Sequence, residues 1–213
     1  MTQRAVVITK IVLWAACLAP LGLLVMQAFG MAGGLGANPV EQVLNTCGKT
    51  GLNLLMLTLC ITPIRRSTGL HRLIAFRRLL GLFAFFYLVL HFSTYALLDL
   101  GLIFQPQLAW GTLLADIAER PYITVGFSAW LLLLPLAVTS TKGWIRRLGR
   151  NWARLHKLVY AAGVLAVLHF WWLVKSDIRE PALYAGILAL LLGWRAWTWW
   201  SRVRTTRRTA TAR

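Results

Sequence analysis

The sequence predicts an all-α integral membrane protein, a six-transmembrane-helix bundle with both termini cytoplasmic. Three observations carry that prediction. Of the 213 residues, 58% are hydrophobic, and they fall in runs long enough to cross a hydrocarbon core, which takes about 20 apolar residues in a helix. The runs place spans at roughly 9–30, 50–64, 79–100, 121–141, 153–174 and 181–200. The charges between the spans then alternate in a way a soluble basic protein has no reason to adopt.

A net charge of +17 in a soluble chain would point to nucleic acid. With the N-terminus in the cytoplasm, however, 19 of the 23 lysines and arginines fall on that side, from Arg4 and Lys10 through the 65–78 and 142–157 loops to the segment after Arg195. The other side receives Lys49, Arg120, Lys175 and Arg179 with all six acids, Glu41, Asp99, Asp116, Glu119, Asp177 and Glu180. A Lys/Arg excess in short loops sets orientation. The charge therefore reports topology among membrane lipids, and nucleic acid is excluded as a partner.

Span one follows a basic start, but its apolar run exceeds the 7–15 residues of a signal-peptide core and no A-x-A site follows, so it is expected to be a retained helix. After it, GMAGGLGANPVEQVLNTCGKTG opens with a glycine-rich turn. Asn38 and Pro39 then read as N-cap and first helical residue. A short helix in the outer interface is expected there, with Val40, Val43, Leu44 and Cys47 on one face, before a second span that is short unless it begins further back. Between spans two and three, RRSTGLHRLIAFRR either anchors the topology or meets lipid phosphates, a flavin phosphate or an acidic partner; His71 within it reads as a solvated loop residue. Pro121 and Pro181 open spans four and six just after an acid, and Pro135 should kink span four. Most of the eleven tryptophans lie near span ends, as interfacial anchors do. Cys17, Cys47 and Cys60 show no metal-type spacing, and no disulfide is expected. Residues 1–200 form one domain in this reading, with 201–213 a basic cytoplasmic tail.

Span five carries the chemistry. WARLHKLVYAAGVLAVLHFWWLVK holds His156 and His169 in an apolar setting, and span three holds His91. An ionisable side chain at bilayer depth is costly and marks a functional site whose partner should be sought. Spans three and five run in the same direction, so depth is comparable: His91 lies eight residues before Asp99 and His169 six before Lys175, about 12 Å and 9 Å below their outer ends at ~1.5 Å per residue. Two nearly level histidines on separate helices have the arrangement needed for bis-imidazole haem ligation. Ala84, Ala162 and Ala166 share their faces and leave room for a flat macrocycle, while Thr94 and Tyr95 lie within reach of a propionate or an imidazole. His91 and His169 are accordingly the expected axial ligands of haem iron. The plain alternative is that they are hydrogen-bonded bundle-core residues.

His156 sits thirteen residues before His169, about 20 Å nearer the cytoplasm and roughly 140° around a straight helix. A bulge near Gly163 would bring the two to one seam. The positions opposite His156 are Arg77 and Arg78, which do not ligate iron. His156 is kept as a further haem-binding candidate, open equally to a second haem, a hydrogen bond to a flavin or propionate, or no chemical role.

Over nearly the whole chain, GLGANPVEQVLNTCGKTGLNLLMLTLCITPIRR, RRLLGLFAFFYLVLHFSTY, RPYITVGFSAWLLLLPLAVTS and LGRNWARLHKLVYAAGVLAVLHFWW resemble the MsrQ (YedZ) family of haem-binding membrane subunits. The resemblance implies a six-helix, ferric-reductase-like transmembrane domain in the bacterial inner membrane, with haem b and FMN as cofactors. It also implies electron transport from the quinone pool, or a cytosolic flavin reductase, to a periplasmic molybdopterin-containing MsrP-type subunit that reduces methionine sulfoxide in oxidised proteins. His91, His156 and His169 fall on the family's three transmembrane histidines.

The expected function is an electron conduit: the spans show no nucleophile or acid/base dyad, so the chain is not expected to act alone on methionine sulfoxide. A free-standing ferric or oxygen reductase is the alternative, against which stands the lack of a nicotinamide-binding domain after span six. A histidine-lined metal or proton transporter is a third reading, disfavoured because no acid lies deep in a span.

Overall fold

The computed structural model describes residues 2–174 and 176–211, with the side chains of 109, 202 and 205–211 left aside. Lys175, the outer end of span five in the sequence reading, and the last two residues of the tail lie outside the described residues. The described chain is helical, without a strand, as the apolar runs require.

Helix α1 (Gln3–Ala28) starts at Thr2, whose hydroxyl accepts from the Ala5 N–H. Pro20 lies inside it. Immediately after, the ladder is bridged from outside: the Leu21 N–H donates to the Tyr87 hydroxyl (3.2 Å), which donates to the Cys17 carbonyl (2.6 Å). Tyr87 is fully buried and ties α1 to the third span by inserting a side chain into its backbone hydrogen bonding.

The interfacial helix expected before span two and span two itself are one helix, α2 (Pro39–Thr68), 30 residues long. Its start is as read: Asn38 accepts from the Glu41 N–H and Pro39 opens the helix. The expectation of a separate interfacial helix carrying Cys47 is corrected by this, since Cys47 lies inside the long α2 and is 1% exposed. The cause is packing: Val43 and Cys47 join the same core as Leu52, Leu55 and Leu59, so the helix has no reason to break at the polar Lys49-Thr50. Gly69, in the left-handed region at φ 70°, ends it.

A single 3-10 turn (His71–Leu73), with His71 exposed as expected, leads into α3 (Ile74–Thr94), which runs on as a π-helical turn over Tyr95–Asp99. The connection to the next span contains a helix the apolar runs did not reveal, α4 (Pro106–Glu119). Asp116, buried at 6% exposure, holds it down by accepting from the Tyr95 hydroxyl (2.5 Å) and pairing with Arg120 (3.1 Å). Helix α5 (Pro121–Val138) stops one turn after Pro135, so the proline closes the span rather than kinking its middle.

Span five is corrected most. It comprises α7 (Arg150–Leu155), preceded by α6 (Lys142–Leu148), and then α8 (Leu158–Leu173), with a turn at His156 and Lys157. The bulge near Gly163 that would have brought His156 and His169 to one seam is absent, because α8 runs unbroken through it. Helix α9 (Arg179–Thr211) spans the predicted sixth segment and carries on past residue 200. Among the described residues, five helical stretches are long and apolar enough to cross a membrane: Gln3–Ala28, Pro39–Thr68, His71–Asp99, Pro121–Val138 and Arg150–Leu173. The tightest packing is between α2 and α3 and between α5 and α8, while α9 lies against α2 and α8. Cys17, Cys47 and Cys60 are free.

Candidate functional site

The two antiparallel hairpins, α2–α3 and α5–α8, each deliver one histidine to the seam between them. His91, on α3, directs Nδ1 to the Leu44 carbonyl of α2 at 3.0 Å. His169, on α8, directs Nδ1 to the Tyr122 carbonyl of α5 at 2.7 Å. A carbonyl only accepts, so both Nδ1 atoms carry the proton and Nε2 is left in each ring as the lone-pair nitrogen. Imidazoles that ligate metal are held in this way, with the second nitrogen donating to a carbonyl or carboxylate that fixes tautomer and orientation.

What lets each ring reach a carbonyl is a glycine one helical turn further on. A Cβ on Gly48 would stand 3.0 Å from His91 Nδ1, and one on Gly126 would stand 2.6 Å from His169 Nδ1. Only glycine leaves the ring that space. The two half-sites also repeat at a fixed interval: Leu44 and Tyr122, Gly48 and Gly126, Ala84 and Ala162, and His91 and His169 are each 78 residues apart. The sequence reading found the histidines and alanines but missed the glycines and the carbonyls. Glycine followed 43 residues later by histidine, twice, was the available signal.

The ring centroids of His91 and His169 are 6.3 Å apart, with planes at 78°. A metal bound by two imidazoles on opposite sides at about 2.0–2.1 Å each would hold their centroids roughly 6 Å apart, so the pair has the right span for one iron. Among the described residues no group of three or more His, Cys, Asp or Glu could hold a metal ion. An aromatic cluster joins α3 to α5, the helices that carry His91 and Tyr122. Phe85, Phe92 and Phe127 stack around Trp130, with ring centroids 5.2–6.2 Å from it, and the buried Trp130 Nε1 lacks a hydrogen-bond partner. Ala84 and Ala162 are buried and Ala166 is half-buried. Thr94 and Tyr95 do not reach the pair: the Thr94 hydroxyl donates to the Leu90 carbonyl one turn back, and the Tyr95 hydroxyl is taken by Asp116.

His156 is not brought to this pair. It lies at the turn between α7 and α8, its Nε2 3.2 Å from the Thr139 hydroxyl and its ring stacked on Trp152 at 4.0 Å. Trp152 in turn donates to the Thr139 carbonyl. The residue 78 positions before His156 is Arg78, so at the corresponding position the first hairpin offers a guanidinium where the second offers an imidazole.

Two helical hairpins, each bringing one half-buried histidine to the seam between them, define a helical membrane protein with a paired-imidazole site. Residues 47–167 match the family profile described as ferric reductase like transmembrane component. The chain is 54% identical over 214 residues (99% of this chain, 95% of the relative) to the protein-methionine-sulfoxide reductase heme-binding subunit MsrQ of Xanthomonas euvesicatoria pv. vesicatoria. Relatives bearing the same name in Xanthomonas campestris pv. campestris and Bordetella pertussis are 56% and 47% identical, covering 96% and 95% of this chain and 93% and 95% of the relative. The chain belongs to the MsrQ family of the ferric-reductase-like class.

Proposed function

We propose that this chain is the haem-binding membrane subunit of a protein-methionine-sulfoxide reductase system and that it conducts electrons outward across the bacterial inner membrane. The observation that carries the proposal is the His91–His169 pair, each ring fixed by a backbone carbonyl and left with Nε2 free. Haem b held there takes and gives one electron at a time, with a potential set by axial ligands, hydrogen bonding and burial. The chain's own residues do the rest. Leu44 and Tyr122 orient the rings, and Gly48 and Gly126 admit them.

In this reading α9 is the sixth span, residues 1–200 form the transmembrane domain and both termini are cytoplasmic. Electrons enter from the quinone pool or a cytosolic flavin reductase, with FMN as a second cofactor and His156 on the entry side. They leave to a periplasmic molybdopterin-containing MsrP-type subunit, which performs the sulfoxide chemistry. A dithionite-reduced minus oxidised spectrum of purified protein tests the core of the proposal: a low-spin b-type signal lost in both His91→Ala and His169→Ala is expected, and a wild-type protein without that signal overturns it.

A further inference from the structure

We propose that Asp116 is a positioning residue for the paired-imidazole site, holding the half-site of His91 and the half-site of His169 in one fixed relation. The proposal rests on the haem reading above. Asp116 is 6% exposed, although its helix, α4, also carries the exposed Leu108, Trp110 and Leu114. One carboxylate oxygen accepts from the Tyr95 hydroxyl at 2.5 Å, and the other pairs with Arg120 Nε at 3.1 Å.

Both partners border the site. Tyr95 follows His91 by four residues, one turn further along the same face, where α3 gives way to the π-helical turn over Tyr95–Asp99. Turns of that kind are rare and recur at functional sites. Arg120 caps the end of α4 and the start of α5, two residues before Tyr122, whose carbonyl holds His169. The corner it makes is stiff: the Thr124 hydroxyl reaches the carbonyls of Ile117 and Arg120, and the Arg120 N–H donates to the Asp116 carbonyl.

Each ring is steered by a carbonyl of its own hairpin, and neither of those bonds fixes where the other hairpin stands. Iron is exacting on that point, since metal–ligand distances hold to about ±0.2 Å and a site loses its productive geometry beyond about 0.5 Å. The 6.3 Å spacing and 78° angle of the two rings therefore depend on what ties α3 to the corner that opens α5. The Tyr95–Asp116–Arg120 chain is such a tie. A carboxylate withdrawn from water is costly unless it is paired and hydrogen-bonded, so Asp116 stays buried only while it keeps its partners. A simple peg for α4 has no need of one partner a turn from His91 and another two residues from Tyr122.

The experiment uses the haem-loaded protein and its Asp116→Ala, Asp116→Asn, Tyr95→Phe and Tyr95→Phe/Asp116→Ala variants, with Leu114→Ala on the exposed face of α4 as control. Two readouts report on ligation: the ferric low-spin EPR signal, whose anisotropy tracks the angle between the imidazole planes, and the rate of haem transfer to an apoglobin. Asp116→Ala and Tyr95→Phe should each displace the EPR signal and speed haem loss at least threefold. Asp116→Asn keeps an oxygen that accepts from Tyr95 and should stay within twofold of wild type, as should Leu114→Ala. The double variant should be no worse than Asp116→Ala alone, as coupled residues behave.

A lower melting temperature in Asp116→Ala with an unmoved EPR signal and an unchanged rate of haem loss makes the residue a peg for α4 and overturns the proposal. If Asp116→Ala does not fold, Tyr95→Phe decides alone, and a wild-type signal in it overturns the link. A wild type without any low-spin signal removes the haem reading itself, and this link with it; a wild-type signal indifferent to both substitutions removes the link only.

Discussion

Replacing Gly126 by alanine should expel the cofactor while leaving the helices standing. The added Cβ would lie 2.6 Å from His169 Nδ1, 2.8 Å from Cε1 and 3.0 Å from Cγ, against an ordinary contact of about 3.5–4.0 Å between carbon atoms. The ring must therefore retreat by close to 1 Å, along the direction that stretches its 2.7 Å bond to Tyr122. The lost hydrogen bond costs about 0.5–1.5 kcal/mol, which the gain in helix propensity on replacing glycine, about 1 kcal/mol, offsets. Global stability should change little. Disturbing the group that orients a metal-bound imidazole typically costs 10–100-fold in affinity, and haem dissociation, read by transfer to an apoglobin acceptor, should speed up by that factor. Gly48→Ala meets His91 at 3.0 Å and should show a few-fold effect. Gly163→Ala, whose Cβ would come no closer than 3.6 Å to Leu59 and Leu188, should show none. Equal dissociation rates for Gly126→Ala and Gly163→Ala would refute the assignment of His169 to the iron.

His156→Ala should preserve the low-spin spectrum and slow reduction by the inner donor; loss of all low-spin haem in this variant alone would invert the pairing. Asp116→Ala should free α4, because it strands the Tyr95 hydroxyl and Arg120 together, at a local cost of about 1.5–3 kcal/mol for bonds to a charged group, with faster hydrogen exchange across 106–119 as the readout. Reporter fusions after Trp200 and in the 65–78 loop should read cytoplasmic, and those in 101–119 periplasmic. The purified chain, chemically reduced, should leave methionine sulfoxide unchanged; turnover by it alone would contradict the conduit.

Apolar runs made the helical class legible because a bilayer imposes length and hydropathy on every span. The joins were not legible in the same way. Helix α2 absorbs its interfacial start because Cys47 packs in the core, a tertiary fact, while α4 is held by Asp116, whose partner Tyr95 comes from another element. The turn at His156 is fixed by Thr139 and Trp152, again across elements. At the site, the level of His91 with His169 could be counted from the sequence. The carbonyls of Leu44 and Tyr122 could not, since any residue type supplies a carbonyl. Their glycines left a mark that only comparison of the chain with itself, 78 residues on, brings out.

That self-similarity has a consequence for how the protein is made. The hairpin bearing His91 emerges from the ribosome whole, with ring, carbonyl and glycine already in register, while the matching imidazole is still 78 residues from being synthesised. Each half-site can organise itself early, but neither alone offers iron its second axial nitrogen. Under the proposed ligation, haem capture would wait until α8 has entered the membrane and the two hairpins have docked, and the haem would then rivet together halves that fold one after the other.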